Sequence, residues 1–555
     1  MLWAIGAHNA DDTSTTPPRR DRPGYDRRVH EPTNHPGACG PPRTDEPAPA
    51  GLVFLLPQGL TVTGVNTWAR SVVKTLRARG RPAWAIVHGG HGGHREITDP
   101  ESSGLIRLDL PPAEDVRDTE GVAVWGRAYT NALRRCAHVS GGRLALIPTR
   151  HDACFAAGVW ASTRSSGAWR VVLWQQLDSR YEDALLEHFE PGASALVGAS
   201  ALLARSLADR FPHRRTEVVC IPNAVEVPDA LPDRGSCTGR AVRVLYTGRV
   251  EHEQKRVLAL LHLSDTLDSR GVPHELRVVG DGPALAELRG MSASRSSVSL
   301  TGALDGAGVR RELERADVFV LASRNEGLSY SLLEAMAHGC APVLTRTRSG
   351  SDEAVEHGVS GWIVDGAEDD RATGEALADG VEGALGLGLA TIGQAARARV
   401  RDRYSLSVHC DSLEELCGGV VAGSTPAWPA QRPLLARGAR GGDAAAAERA
   451  GSILAQDLGR RFVIHGAGGH TRRLLGALRA HDDRILALAD DERSLWGRVW
   501  RGWRTVIDPA EAASLGATDV LISSDLHEDS IWDRREIYQR QGLRVHRLYA
   551  SLSST

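Results

Sequence analysis

The sequence predicts an α/β architecture of parallel sheets covered on both faces by helices, repeated in three units along 555 residues. Three observations carry that reading. Short apolar runs that suit buried strands alternate with amphipathic stretches of helical period, as in βαβ units. Polar or Pro-, Gly- and Ala-rich segments near residues 228–240 and 421–445 break this alternation into blocks. The length is also too great for a single core.

Residues 1–50 are rich in Pro, Arg, Asp and Thr, lack any apolar period, and are expected to form a disordered leader. The first unit, 51–225, opens with the apolar run Gly51-Leu-Val-Phe-Leu-Leu56. The glycine-bearing loop Pro57-Gln-Gly-Leu-Thr-Val-Thr-Gly-Val-Asn66 follows, and then an amphipathic helix from Trp68 to Arg79 that stops at Gly80. Further strands are expected at Trp84–Val87, Leu144–Ile147, Val171–Trp174 and Ala195–Val197, with helices at Tyr181–Phe189 and Ala201–Arg210. The second unit, 226–420, has expected strands at Val242–Tyr246, Glu275–Val279, Ser297–Leu300, Val318–Leu321, Ala341–Leu344 and Trp362–Val364. A helical tail from about residue 388 is expected to close it. Two consecutive sheets of this kind place a cleft at their interface. Residues 421–445 are expected to be a linker. The third and smallest unit, 446–555, begins its sheet at Arg461-Phe-Val-Ile-His-Gly-Ala-Gly-Gly-His-Thr471 and continues through Ile485–Ala489 and Val520–Ser523 to the neighbourhood of Val545.

A formal charge of −3 and a pI near 6.7 lack the basic excess of a nucleic-acid binder. The eight cysteines (39, 136, 154, 220, 237, 340, 410 and 417) show no Cys-x-x-Cys pair, which fits a reducing compartment and neither a zinc module nor a disulfide framework. No apolar run is long enough to span a bilayer, and the N-terminus lacks the basic and apolar regions of a signal peptide. A cytoplasmic protein is expected. Of 66 basic side chains only Lys74 and Lys255 are lysines. Where lysine persists against so strong an arginine bias, a compact point charge is the property a guanidinium cannot replace.

The chemistry concentrates in Ser323-Arg-Asn-Glu-Gly-Leu-Ser-Tyr-Ser-Leu-Leu-Glu-Ala-Met-Ala-His-Gly-Cys-Ala-Pro342. It follows the strand-like run Val318-Phe-Val-Leu-Ala322 and carries two carboxylates, Glu326 and Glu334. Glu326 and Gly327 fall where the strand ends, the position at which open α/β sheets bind ligands. The helix N-terminus near Leu328–Ser331 offers N–H groups and a positive dipole end to a phosphate. Carboxylates accept hydrogen bonds from paired hydroxyls. A carboxylate for hydroxyls beside a seat for a diphosphate describes a nucleotide-sugar site.

Further pieces fall in order along residues 51–420: Thr63-Gly-Val-Asn-Thr-Trp68, Ile221-Pro-Asn-Ala-Val225, Thr247-Gly-Arg-Val250 with Lys255, Gly280-Asp-Gly-Pro283, the two glutamates, and Gly358 to Trp362. Together they resemble family 4 retaining glycosyltransferases of the GT-B architecture, in which two Rossmann-like domains face a cleft. The third unit would then be an appended Rossmann-like domain. The resemblance implies a donor half that binds a nucleotide-diphosphate-sugar through Gly248, Arg249, Lys255, Gly280, Gly282, Glu326, Gly327, Leu328 and Glu334. Gly64 would approach the phosphates from the first unit. It implies catalytic roles for Arg249, Lys255 and Glu326, with the two cations on the leaving diphosphate, Glu326 on the donor sugar, and Glu334 on the ribose. Arg256 is the rival of Lys255 for the phosphate. No metal or other cofactor is implied. The implied partners are the donor and a glycan, lipid-linked or small-molecule acceptor, with peripheral contact to the inner face of the membrane for a lipid-linked one. A GT-B phosphorylase or synthase, or a non-catalytic nucleotide-sugar-binding regulator, is the alternative.

One departure concerns the segment Val172-Leu-Trp-Gln-Gln-Leu-Asp178, where many family members carry a histidine and Gln175 stands here. Asp178 is a candidate substitute or a helix cap. His88-Gly-Gly-His-Gly-Gly-His94 is flanked by glycines and read as a loop rather than a metal site. Trp496-Gly-Arg-Val-Trp-Arg-Gly-Trp-Arg504 is read as a short hairpin with packed tryptophans. In the third unit Gly466-Ala-Gly468 follows a strand, but Thr471 replaces the last glycine of a dinucleotide fingerprint, so a structural or docking role is expected before a nucleotide site.

Overall fold

The computed structural model describes residues 50–57, 64–89, 104–111, 116, 118–149, 151–177, 180–231, 239–252, 254–347, 349–367, 369–435, 442–457, 459–524 and 528–549. The expected leader, Asp178, and His91 and His94 of the histidine–glycine run lie outside them.

The first sheet contains β1 (Gly51–Leu56), β2 (Ala83–Gly89), β3 (Leu105–Asp109), β4 (Leu144–Pro148), β5 (Trp169–Gln175), β6 (Ala193–Gly198) and β7 (Val218–Cys220), ordered β3-β2-β1-β4-β5-β6-β7. The second contains β8 (Val242–Thr247), β9 (His274–Val279), β10 (Val298–Gly302), β11 (Val318–Leu321), β12 (Ala341–Thr345) and β13 (Trp362–Val364), ordered β10-β9-β8-β11-β12-β13. All neighbours in both sheets are parallel. Parallel strands are buried on both faces, so apolar runs without alternation are what such strands need. β1, β4, β5, β11 and β12 are accordingly buried along their whole length.

The third sheet holds β14 (Phe462–His465), β15 (Ile485–Ala489), β16 (Val499–Trp500), β17 (Arg504–Ile507), β18 (Asp519–Ile522) and β19 (Arg544–His546), ordered β16-β17-β15-β14-β18-β19. Only the β16–β17 pair is antiparallel. The order reverses between β1 and β4 in the first sheet, β8 and β11 in the second, and β14 and β18 in the third. Such a reversal opens a crevice at the carboxyl ends of the flanking strands.

Two expectations about the connections are corrected. Helix Leu406–Ala422 does not close the second sheet but packs on the first. Leu406, Cys410, Leu413 and Leu416 share a core with Phe54, Val72 and Trp174. Trp68 donates to Nε2 of His409 at 2.9 Å, while Nδ1 of His409 meets the Pro222 carbonyl at 2.7 Å. Residues 423–435, expected as a linker, form a strap on the opposite face of the same sheet. Trp428 stacks on Phe189, Leu435 enters the core, and Arg432 donates to the carbonyl of His188 at 2.8 Å. A segment rich in Pro and Gly reads as a linker, yet its few large side chains anchor it, Trp428 half-buried and Leu435 buried. The two chain crossings between the halves lie side by side: Val225 donates to Tyr404 O and Leu406 to Val225 O.

Smaller differences have local causes. The first helix starts at Gly64 rather than Trp68. Val218–Cys220 forms a seventh strand too short to stand out as an apolar run. Among the described residues no helix is long and apolar enough to cross a membrane.

Candidate active site

Three adjacent strands of the second sheet, β9, β8 and β11, send their C-terminal loops to one place, beside the reversal in strand order. The loop after β8 and the loop after β9 lie backbone against backbone. Gly248 donates to Val279 O and Val250 to Asp281 O, both at 3.0 Å. A Cβ on Gly280 would stand 1.8 Å from the Gly248 carbonyl oxygen, and one on Gly282 would stand 2.3 Å from that of Val250. These glycines are required for loop-on-loop packing that fixes where Arg249 and Lys255 emerge.

Lys255 forms an ion pair with Glu326 Oε1, across from the loop after β11. The same oxygen accepts from Ser323 Oγ at 2.6 Å, and the carboxylate is 6% exposed. Arg249 is 61% exposed and is held by Gln254 at 3.1 Å. Gln254 also donates to Asn325 O and accepts at its own carbonyl from Arg324 N, so it ties the cationic loop to the glutamate loop. Arg256, the expected rival for the phosphate, points elsewhere. Its guanidinium is buried against Thr373, Asp370 and the carbonyls of Ala367 and Asp369, in front of helix Asp370–Leu387. Its backbone is left-handed (φ 50°), which turns adjacent side chains to different sides.

Helix Tyr330–Ala337 follows, capped by Ser329, whose hydroxyl accepts from Leu332 N. Glu334 sits on it, half-buried, and no described residue donates to its carboxylate. Burial pushes the carboxyl up to about 7.

The first sheet closes over these groups from its own carboxyl edge. A Cβ on Gly64 would be 2.6 Å from the Tyr330 ring, and one on Gly327 would be 2.1 Å from the Gln176 carbonyl oxygen. Asn223 donates to Leu328 O at 3.1 Å. Glu353 caps helix Ala201–Arg210 from the other half, accepting from Ala201 N and Leu202 N at 2.9 and 2.7 Å. Gly64 therefore meets Tyr330, and with Gly327 it allows the two halves to touch.

Sequence reasoning missed Gln176. Gln175 faces inward and donates to Asp183 Oδ1 at 3.0 Å. Gln176 follows β5, and among the described residues neither its side-chain amide nitrogen nor its amide oxygen, both buried, has a partner. A buried polar atom left unpaired typically costs about 1–3 kcal/mol, so such an atom calls for an explanation. The neighbouring Gln–Gln pair gave no signal of which member would be left with an unpaired amide. Glu353 was missed as well, because its partner helix lies 152 positions away.

Residues 241–383 match a family model described as "Glycosyl transferases group 1". The fold is GT-B. Solved structures share it at low identity: a glycosyltransferase from Rickettsia africae superposes with a TM-score of 0.54 at 15% identity, over 68% of this chain and 100% of that one. HepE of Anabaena, solved with UDP-glucose, gives 0.51 at 16% identity, over 66% and 99%. Among curated proteins, the putative colanic acid biosynthesis glycosyltransferase WcaL is 28% identical in Salmonella typhimurium over 196 residues, 32% of this chain and 48% of that protein. The Escherichia coli WcaL is 33% identical over 210 residues, 35% and 51%. The amylovoran biosynthesis glycosyltransferase AmsK of Erwinia amylovora is 32% identical over 131 residues, 22% and 32%. The chain thus spans about half the length, or less, of these curated relatives. The family match covers most of the second of the two sheet units, with Arg249, Lys255, Glu326 and Glu334 inside it.

Within the first sheet, His88 is a buried residue of β2 whose Nε2 lies 2.8 Å from the Tyr129 hydroxyl. The tryptophan–arginine run forms the β16–β17 hairpin, with Trp496, Trp500 and Trp503 packed on the third core. In the third unit Thr471 is fully buried and bonds Gly466 O and Ser523 Oγ, while Asp490 accepts from Ala467 N at 2.7 Å across the glycine loop.

Proposed function

We propose that this protein is a metal-independent retaining glycosyltransferase of family 4 that transfers a sugar from a nucleotide-diphosphate-sugar to a growing glycan or lipid-linked sugar. The observation that carries this reading is the Lys255–Glu326 pair at the reversal of the second sheet, with Arg249 beside it. Its relatives named for colanic acid and amylovoran biosynthesis support a surface-polysaccharide acceptor. A lipid-linked acceptor would bring the protein to the inner face of the membrane from the cytoplasm.

In this reading Arg249 and Lys255 face the leaving diphosphate. Breaking the glycosyl–oxygen bond places negative charge there, and fixed cations in a partly dry cleft stabilise it more in the transition state than in the ground state. Glu326 accepts from hydroxyls of the transferred sugar and Glu334 from the ribose. The acceptor oxygen attacks from the face the diphosphate leaves. Its proton passes to a diphosphate oxygen, so the products are the new glycoside, with configuration retained, and the protonated nucleoside diphosphate. The third unit serves as an accessory docking domain.

The test is turnover with a panel of UDP-, GDP- and ADP-sugars, scored for transfer and for slow donor hydrolysis. Binding without either reaction, across the panel, favours a nucleotide-sugar-binding regulator instead. Glu326→Gln is expected to impair sugar selection while the bare nucleoside diphosphate binds as before. Weaker diphosphate binding by that variant contradicts the division of roles.

A further inference from the structure

Arg493 belongs to the turn after β15 in the third unit, and its guanidinium lies 3.0 Å from Glu287 Oε1 in the second. The other oxygen of the same carboxylate, Oε2, lies 2.8 Å from His252 Nε2. Glu287 stands in the first turn of helix Leu285–Ser292, directly after the glycine loop that packs on Gly248 and Val250. His252 lies between Arg249 and Lys255 on the loop after β8. One carboxylate therefore grips the cationic loop with one oxygen and the third unit with the other. On the third-unit side Arg493 is itself placed. It lies over the Trp496 ring, the indole nitrogen of Trp496 donates to Asp490 O at 2.7 Å, and the Asp490 side chain accepts from the glycine loop at Ala467 N.

We propose that the third unit positions the diphosphate-binding loop of the second, with Glu287 as the positioning residue and Arg493 as its anchor. The inference rests on the reading of Arg249 and Lys255 as the groups that hold the donor diphosphate. Arg249 is mostly exposed; it donates to the neutral Gln254 amide oxygen at 3.1 Å and pairs with Glu251 at 3.8 Å. Its resting place thus depends on the backbone that carries it; Tyr246 Oη donates to Arg249 O at 2.7 Å, Glu251 accepts from Gln254 N and Lys255 N, and His252 ties the loop to Glu287. With Arg493 removed, the carboxylate of Glu287, one-third exposed, gains freedom to swing into solvent and release His252. Partly exposed ion pairs act on a modest scale, so the shift in diphosphate affinity is expected to be roughly twofold to fivefold.

The experiment uses the full chain. Affinities for UDP, GDP and ADP are measured by calorimetry, and for the nucleoside of the best binder by ligand-observed NMR. Arg493→Ala and Glu287→Ala are expected to weaken the diphosphate by that factor and leave the nucleoside unchanged. Arg493→Lys should restore most of the loss, and Arg493→Ala should add nothing on a Glu287→Ala background, because both act through one carboxylate. Unchanged diphosphate affinity in Arg493→Ala, equal weakening of the nucleoside, or additive losses in the double variant would overturn the proposal. Wild-type protein that binds none of the three diphosphates would overturn the proposed function itself, and this inference with it.

Discussion

Lys255 and Glu326 hold one another from loops 71 residues apart, the lysine largely and the glutamate almost wholly withdrawn from water. A charge in that setting is tolerable only while it is paired. Lys255→Ala strands the Glu326 carboxylate with Ser323 as its remaining partner. It is expected to lower stability by about 1–3 kcal/mol and turnover by about 10²–10³-fold, the scale of losing one transition-state charge contact. Replacing both partners, Lys255→Met with Glu326→Gln, should recover the stability and none of the turnover. Thermal unfolding and steady-state kinetics on the single and double variants check this. A double variant as unstable as the single one would show that the pair is not what sets the local stability.

The adjacent Arg256 is expected to behave in the opposite way. Its buried guanidinium joins the end of the cationic loop to residues 367–373 through Thr373, Asp370 and two carbonyls. Removing it takes the charge-assisted donor from this buried site, although Thr373 still donates to both carbonyls, so Arg256→Ala should cost about 2 kcal/mol. The folded fraction should keep turnover well above that of Lys255→Ala. Measuring kcat alongside the folded fraction separates the two; equal losses of turnover would return the phosphate role to Arg256.

Lys255 and Arg256 also show what was legible in the sequence. The Gly-Arg and lysine pieces were visible and favour Lys255 for the phosphate, with Arg256 as its rival; the left-handed backbone at Arg256 then sends the two side chains to different sides. The sheets were legible because parallel strands demand continuous apolar runs, as in Val318–Leu321. The path of residues 406–435 was not. A helix and a Pro-rich strap carry no mark of which half they return to, and Trp68–His409 spans 341 positions. Glu326 was legible because a strand end and a glycine announce it. Gln176 was not, because its meaning lies in the missing partners of its amide.

Gln176 carries a further expectation. Its backbone carbonyl meets Gly327, and its buried side-chain amide is unpaired among the described residues, a cost that persists in natural proteins chiefly where function requires the group. Gln176→Met keeps the volume and removes both unpaired atoms. It is expected to raise the melting temperature by a few degrees, about 1 kcal/mol, and to lower kcat/KM for transfer about tenfold or more. Gln176→Asn should retain more activity than Gln176→Met. Calorimetry and kinetics on the same preparations decide the matter: a variant equally active and no more stable would make Gln176 an ordinary interface residue.

Two buried groups give opposite slopes to stability with pH. Burial holds the Glu334 carboxyl protonated up to about 7, against an ordinary 4.5. The folded chain then binds more protons than the unfolded one between those values, so this contribution is fully present below 4.5 and is lost as pH rises through 7. His409, wedged between Trp68 and Pro222, is held neutral down to about 4, against an ordinary 6.5. There the unfolded chain binds more protons, and about 3 kcal/mol is lost as pH falls from 6.5 to 4. Over the shared window the two effects oppose each other, and single variants should expose each. On acidification from pH 7 to 5, Glu334→Gln is expected to lose melting temperature faster than wild type. His409→Gln, whose amide can still accept from Trp68 and donate to Pro222, should lose it more slowly. Calorimetric melting temperatures from pH 5 to 8 test both. Curves for either variant that run parallel to wild type would mean that the group does not titrate differently on folding. On the proposed ribose role, an ionised carboxylate accepts from hydroxyls more strongly than its protonated form, which turns part of its acceptor capacity into an O–H donor, so donor affinity should also fall as pH drops through about 7 in the wild type and stay flat in Glu334→Gln.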